Sequence, residues 1–283
     1  MIVRRHGLLL IAPLALLLAG FFLTPVAMLL PMSFGEQLPG AGISKGVWTV
    51  DNYVRIVTDD FYREVIARTL GLGLGVTAAC LLLGYPLAYM IARGPERWRL
   101  PLIMLVVFPM MLNLVVRSFG WIALLANRGL VNNLLMQAGL ITAPLKLMFN
   151  LTGVMIGLTH IYLPFMVLML VAAIRNVPRD VEAAASTLGS SRLHVFASVT
   201  LPLSAPGILA GSILVFVLTI SALVTPRMLG GPTYRVMATV IYDEYMQLLD
   251  WPSGSALSFA LTAMAVGVIW MSSRLTKRWA GMA

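Results

Sequence analysis

Asp180-Val-Glu-Ala-Ala-Ala-Ser-Thr-Leu-Gly189, running on to Val199-Thr-Leu-Pro202, decides how the rest of this chain is read. It lies between two long apolar runs, where a membrane protein has little use for short amphipathic helices unless something docks on them. Pro178 suits a first helical turn, and Asp180 and Glu182 bring negative charge to the helix N-terminus. Val181, Ala184, Ala185 and Leu188 repeat at i, i+3, i+4 and i+7 as one apolar stripe. Gly189 ends the helix as a left-handed cap. Ser190 or Ser191 caps a second helix, whose stripe is Leu193, Phe196 and Val199, and Pro202 opens the next apolar run. The pattern predicts a helix–Gly–helix elbow with a small Ala face that another protein's backbone can approach closely.

Outward from the elbow, the chain is apolar. Of 283 residues 59% are hydrophobic and only 11% charged, too few charges to wet a soluble surface of this size. Six stretches are long enough to cross roughly 30 Å of hydrocarbon as helices: 8–32, 65–92, 101–123, 151–173, 203–226 and 254–273. Backbone groups in a bilayer must be satisfied within the span, so the predicted fold class is an all-α membrane protein of six transmembrane helices. The first apolar run is too long for a secretory signal and lacks a small-x-small cleavage site, so it reads as a retained anchor.

The net charge of +9 is no nucleic-acid signal, because the basic residues sit at the ends of apolar runs. The side holding both termini and the loops 93–100 and 174–202 carries eleven Lys and Arg against three acids. The opposite side carries nine against eight. The positive side is expected to be cytoplasmic, with both termini inside. The loop 33–64 then faces the periplasm, and 124–150 is expected to include a short helix along the interface.

Several chemistries lack their residues. The three lysines, Lys45, Lys146 and Lys277, follow Ser44, Leu145 and Thr276, so no Gly-Lys phosphate loop is written here. His6, His160 and His194 have no metal-like partner at i+3 or i+4, and no metal site is expected. Cys80 is single and reads as a small buried hydrophobe. Gly71-Leu-Gly-Leu-Gly75 lies inside an apolar run; Gly71 with Gly75, and Gly207 with Gly211, read as helix-packing pairs. No acid lies in the middle of any span, whereas Arg117 lies near the outer end of the third. Trp121, Tyr162 and Phe165 could meet a cation through their ring faces, and Asp243 and Glu244 could attract one at the outer surface.

The elbow resembles the EAA loop of permease subunits of binding-protein-dependent, type I ATP-binding-cassette importers. Gly189, Val199 and Leu201-Pro202 stand at that loop's spacings. The family glutamate, six residues before the glycine, falls on Ala183; the acid, Glu182, is one residue upstream, about 100° round the helix. Trp48-Thr-Val-Asp-Asn-Tyr53, Gly84-Tyr-Pro-Leu-Ala88, Gly120-Trp121, Leu163-Pro-Phe165 and Trp251-Pro-Ser-Gly-Ser-Ala256 look like the spermidine/putrescine branch; branches for sulfate, iron or phosphonates share much of this pattern.

The resemblance implies a single permease domain over 1–283 in a bacterial inner membrane, with 176–202 as a cytoplasmic coupling loop. It implies ATPase coupling through Glu182, Ala183, Ala184, Gly189, His194, Leu201 and Pro202. It also implies a second permease subunit, similar or identical, two ATP-binding subunits that hold ATP and Mg, and a periplasmic binding protein. No cofactor is expected on this chain. Two other classes fit less well. An ion-coupled carrier would carry mid-span ionisable pairs and repeat symmetry, and a membrane enzyme would carry a catalytic constellation.

Overall fold

The computed structural model describes residues 2–38, 42–43 and 48–280. Lys45 lies outside them. The regular structure of the described residues is helical apart from one antiparallel pairing of Gln37–Leu38 with Gly42–Ile43. Five helices are long and apolar enough to span a bilayer, and a sixth is obtained when one bent pair counts as a single span.

Two compact units divide the chain: residues 1–63 with 240–262, and residues 64–239 with 263–283. In the first unit, helix α1 (Ile2–Ser33) gives way to a short connection and then to α2 (Asp51–Thr58). Asn52 Nδ2 donates to the Ser33 and Gly35 carbonyls at 3.1 and 2.9 Å, and the Tyr53 hydroxyl donates to Ser33 Oγ at 2.7 Å. The two Asn52 bonds satisfy carbonyls left open at and just after the end of α1. Helix α3 begins at Asp60, so the predicted loop 33–64 yields its last residues to helix.

The second unit is built on α3 (Asp60–Arg93) and α7 (Leu151–Asn176), which run parallel. Three contacts in register show this: Cys80 Sγ on the Thr159 carbonyl, Gly84 against Met166, and Arg93 on the Val177 carbonyl. Helix α11 (Ala205–Ile220) runs antiparallel to α7. A Cβ on Gly207 would lie 2.0 Å from that of Ala173, and one on Gly211 3.0 Å from Met166 Sδ. The expected packing pair Gly207/Gly211 therefore does pack. Of the other expected pair, Gly75 meets α7, its Cβ 3.3 Å from Met155 Sδ, whereas Gly71 meets nothing within 4 Å, and the closest approach falls to Gly73, whose Cβ would lie 2.7 Å from Phe216.

Two predicted spans are corrected. The third, 101–123, is broken into α4 (Glu96–Val107), a 3-10 turn Phe108–Met111 and α5 (Leu114–Leu125). Pro109 has no N–H to continue the ladder, and the Asn113 side chain accepts from Val115 N at 2.8 Å, capping a new helix. The apolar stretch that meets span length is Leu114–Gln137, which takes in the expected short helix α6 (Leu130–Gln137).

The fifth span does not open at Pro202. The chain from Arg192 to Leu203 bends by 64° before α11. The bend falls at Ser204, whose buried hydroxyl lies 2.8 Å from Tyr85 Oη, and Pro206 sits in the first turn of α11.

Candidate functional site: the elbow and the polar cluster between helices

The elbow folds as its residues dictate. Helix α8 (Arg179–Thr187) follows Pro178, which sits just outside it as the N-cap residue, and carries Asp180 and Glu182 in its first turn. Gly189 takes φ +87°. Its N–H donates to the Ser186 carbonyl at 3.1 Å and Ser190 N–H to that of Ala185 at 3.4 Å, a Schellman closure. Helix α9 (Arg192–Val195) is capped by Ser191, whose hydroxyl accepts from His194 N at 3.3 Å. A wide π turn, Phe196–Thr200, joins it to the three-residue helix α10 (Leu201–Leu203).

The faces of the elbow differ in chemistry. Val181, Leu188 and Leu193 are 43%, 87% and 78% exposed, and Ala183, Ala184, Gly189, His194, Leu201 and Pro202 are exposed with them. Such solvent-facing leucines beside a glycine form an apolar knob that none of the described residues covers. Phe196 turns the other way and stands edge-on to Tyr85 and Tyr89 of α3, each 5.5 Å between centroids.

Glu182 points inward. Its Oε1 accepts from Arg93 Nε at 3.2 Å, Arg93 Nη2 at 3.0 Å and Thr200 Oγ1 at 2.8 Å. Arg93 Nη2 also donates to the Val177 carbonyl at 2.7 Å. The end of α3, the approach to α8 and the π turn are thus fastened at one carboxylate. Arg93 and Thr200 were not singled out from sequence. Arg93 read only as one of the inside positive charges, since no local spacing links residues 89 positions apart. A cleft of about 840 Å³ opens beside this pair, lined by Met90, Arg179, Ser186 and Leu193 among others.

Of the residues expected along a path, Trp121 of α5 meets His160 of α7: the indole N–H donates to His160 Nδ1 at 3.3 Å, rings edge-on. Tyr162 stands edge-on to Phe165, and its hydroxyl donates to the Leu218 carbonyl at 3.0 Å. In the first unit, Glu244 opens a π turn after α12 (Met237–Asp243) and is buried. Its Oε1 accepts from the Tyr62 hydroxyl at 3.1 Å. Burial pushes the Glu244 carboxyl above its ordinary value, with the Tyr62 bond acting in the opposite sense. Asp243 is half-buried. No group of metal-ligating side chains occurs among the described residues.

A bundle of apolar helices carrying an exposed, apolar-tipped elbow between two spans has the architecture of a membrane permease. Residues 84–280 match the family of binding-protein-dependent transport system inner membrane components, and the chain belongs to that family. It is 35% identical over 261 residues to the spermidine/putrescine transport system permease protein PotB of Escherichia coli K12, covering 91% of this chain and 94% of that one. The PotB protein of Haemophilus influenzae is 32% identical, covering 91% and 89%. In fold, the chain is similar to a bacterial ABC transporter involved in the import of the acidic polysaccharide alginate, with a TM-score of 0.77 at 19% identity over 98% of this chain and 97% of that chain. The chain is therefore a transporter component, a multi-pass protein of the inner membrane.

Proposed function

We propose that this chain is one permease subunit of an ATP-driven polyamine importer, for spermidine- or putrescine-like cations. The observation that carries this is the likeness to PotB, which runs through nearly the full length of both chains. A second permease lines the path with it, a periplasmic binding protein delivers substrate, and two separate ATPase subunits hold ATP and Mg. Both termini and residues 176–202 face the cytoplasm, and 33–64 faces the periplasm. This chain has no Gly-Lys phosphate loop, so its part is to receive movement rather than to hydrolyse nucleotide.

The exposed tip, Leu188-Gly189 with Leu193, enters a groove on the ATPase. The Glu182–Arg93 pair passes displacement of α8 to the end of α3, because a rigid, doubly bonded contact moves as a body. Trp121, Tyr162 and Phe165 line the path, and Asp243 contributes negative potential at its outer end. Deleting residues 179–195 tests the docking. ATPase should no longer co-purify and uptake should stop, whereas retention of both defeats the reading.

A further inference from the structure

We propose that the cleft between the end of α3, the start of α4 and the start of α8 binds the headgroup of an anionic phospholipid of the inner leaflet, with Arg99 and Arg179 on its phosphate. The inference uses the cytoplasmic placement of residues 176–202 proposed above and makes no use of the polyamine assignment.

Arg93, Gly94, Pro95, Glu96, Arg99 and Arg179 line a cavity of about 510 Å³. Arg93, Gly94 and Arg179 also line the larger cleft beside Glu182, so the two spaces adjoin. Arg93 is matched within the chain by Glu182. Arg99 and Arg179 are not: among the described residues, neither side chain makes an ion pair or a hydrogen bond. Glu96 is the one other acid on this cavity. Two unmatched guanidinium forks against one carboxylate leave the cavity net positive, and phosphate oxygens are what such forks hold bidentately. The volume is in the range of small-ligand sites.

The position of the cavity selects a lipid. The spans of α3 and α7 end at Arg93 and Asn176, so the cavity lies where two helices leave the bilayer. Nearby, Trp98 is 54% exposed, and the Arg97 guanidinium carbon lies 6.0 Å from its ring centroid. Exposed tryptophan beside basic residues belongs to the membrane interface. Met90 lines the adjoining cleft and is itself exposed. From it an exposed apolar stripe runs back along α3 through Pro86, Leu83 and Leu82, which share a helix face at this spacing. A phosphate on Arg99 and Arg179 would place an acyl chain along that stripe. A soluble anion gains nothing from it. An acidic side chain of the ATPase fits the place less well, because Arg179 stands at the opposite end of α8 from the exposed Leu188, about 13 Å along the helix. The bound phosphate bridges the start of α4 to the start of α8 and holds the base of the elbow at the membrane surface.

The test titrates phosphatidylglycerol into the complete transporter in a neutral detergent and counts bound lipid by native mass spectrometry. Arg99→Gln should raise the apparent Kd about fivefold, and the Arg99→Gln, Arg179→Gln pair about twentyfold, the size expected for one and two basic contacts at a membrane surface. Arg99→Lys should stay within about twofold of the parent, which separates lost charge from lost folding. Arg97→Gln removes the same charge from the same helical turn but from outside the cavity, and should also stay within about twofold. An unchanged Kd in the double variant overturns the proposal. Equal weakening by Arg97→Gln and Arg99→Gln overturns it in favour of diffuse surface charge. Displacement of the lipid by inorganic phosphate overturns it in favour of a soluble anion. Loss of ATPase co-purification with Arg99→Gln at unchanged lipid binding overturns it in favour of a protein contact. Labelling of Thr187→Cys by an impermeant reagent in sealed vesicles reads the orientation separately. Lipid is counted without substrate or nucleotide, so loss of the polyamine assignment alone would leave the site standing.

Discussion

Glu182 Oε1 takes three hydrogen bonds, two of them from the Arg93 guanidinium, and so ties the elbow to the end of α3 within one polypeptide. The side chains are 10% and 17% exposed for Arg93 and Glu182. Removing one partner leaves the other charge stranded in a poorly hydrated place, while removing both leaves none. Arg93→Ala and Glu182→Ala should each lower stability by about 2 kcal/mol, a value reduced from the fully buried case for the residual exposure. The double variant should cost clearly less than their sum. Thermal unfolding of the four proteins in one detergent checks this, and strict additivity would show that the pair is not coupled.

Leu188 and Leu193 contribute little to this chain's own fold, being 87% and 78% exposed. Substituting either by Ser should change stability by no more than about 0.5 kcal/mol, as for other surface sites. Attachment of the ATPase should nevertheless fall, because an apolar anchor leaves the contact. Co-purification measured beside the melting curve separates the two effects.

Gly189 separates backbone strain from partner contact. Its φ of +87° disfavours a Cβ, yet among the described residues nothing lies within 4 Å of where that Cβ would sit. Asn tolerates the left-handed region better than other residues, so Gly189→Asn should cost about 1 kcal/mol or less in stability. If ATPase stimulation by substrate drops much further than that, the side chain is meeting the docked partner. If activity follows stability alone, Gly189 serves only the turn.

Gly207 has the reverse character. A Cβ there would stand 2.0 Å from the Ala173 Cβ, and α11 has to move off α7 to admit one. Gly207→Val should destabilise by about 3 kcal/mol or prevent accumulation in the membrane. Gly71→Ala, which meets nothing within 4 Å, should be neutral or slightly stabilising. Membrane yield and thermal stability of the two variants test the assignment of the packing glycines.

Glu244 gives a pH dependence with a definite sign. Burial raises its carboxyl pKa above the ordinary 4.5, so the folded protein keeps this proton to a higher pH than the unfolded chain does. The group's contribution favours folding fully below pH 4.5 and is lost as pH rises from there through the raised value. Glu244→Gln, permanently neutral and still able to accept from Tyr62, should match the parent near pH 4 and exceed its melting temperature at pH 8. A variant less stable than the parent at pH 8 would contradict this.

Much of the elbow was legible because its signals are local: the first-turn acids, the glycine and the Ser191 cap each act within a few residues. Spans were legible where apolar length alone decides, as for α7. The broken third crossing was not, because hydropathy runs straight through Phe108–Asn113 while Pro109 and Asn113 interrupt the hydrogen-bond ladder. Gly73, rather than Gly71, packs because helix rotation about its axis is set by tertiary contact with Phe216, which the spacing of glycines does not encode. The partners of Glu182 lie 89 and 18 residues away, and only the fold brings them together.

Uptake into proteoliposomes tests the central claim most directly. The vesicles would hold this chain, its second permease and their ATPase, with the binding protein outside. Labelled spermidine should accumulate only when ATP is enclosed on the ATPase side, putrescine should compete, and deletion of residues 179–195 should abolish uptake. Accumulation that persists without ATP and collapses with an uncoupler, or ATP-driven uptake of sulfate but of no polyamine, would contradict the account.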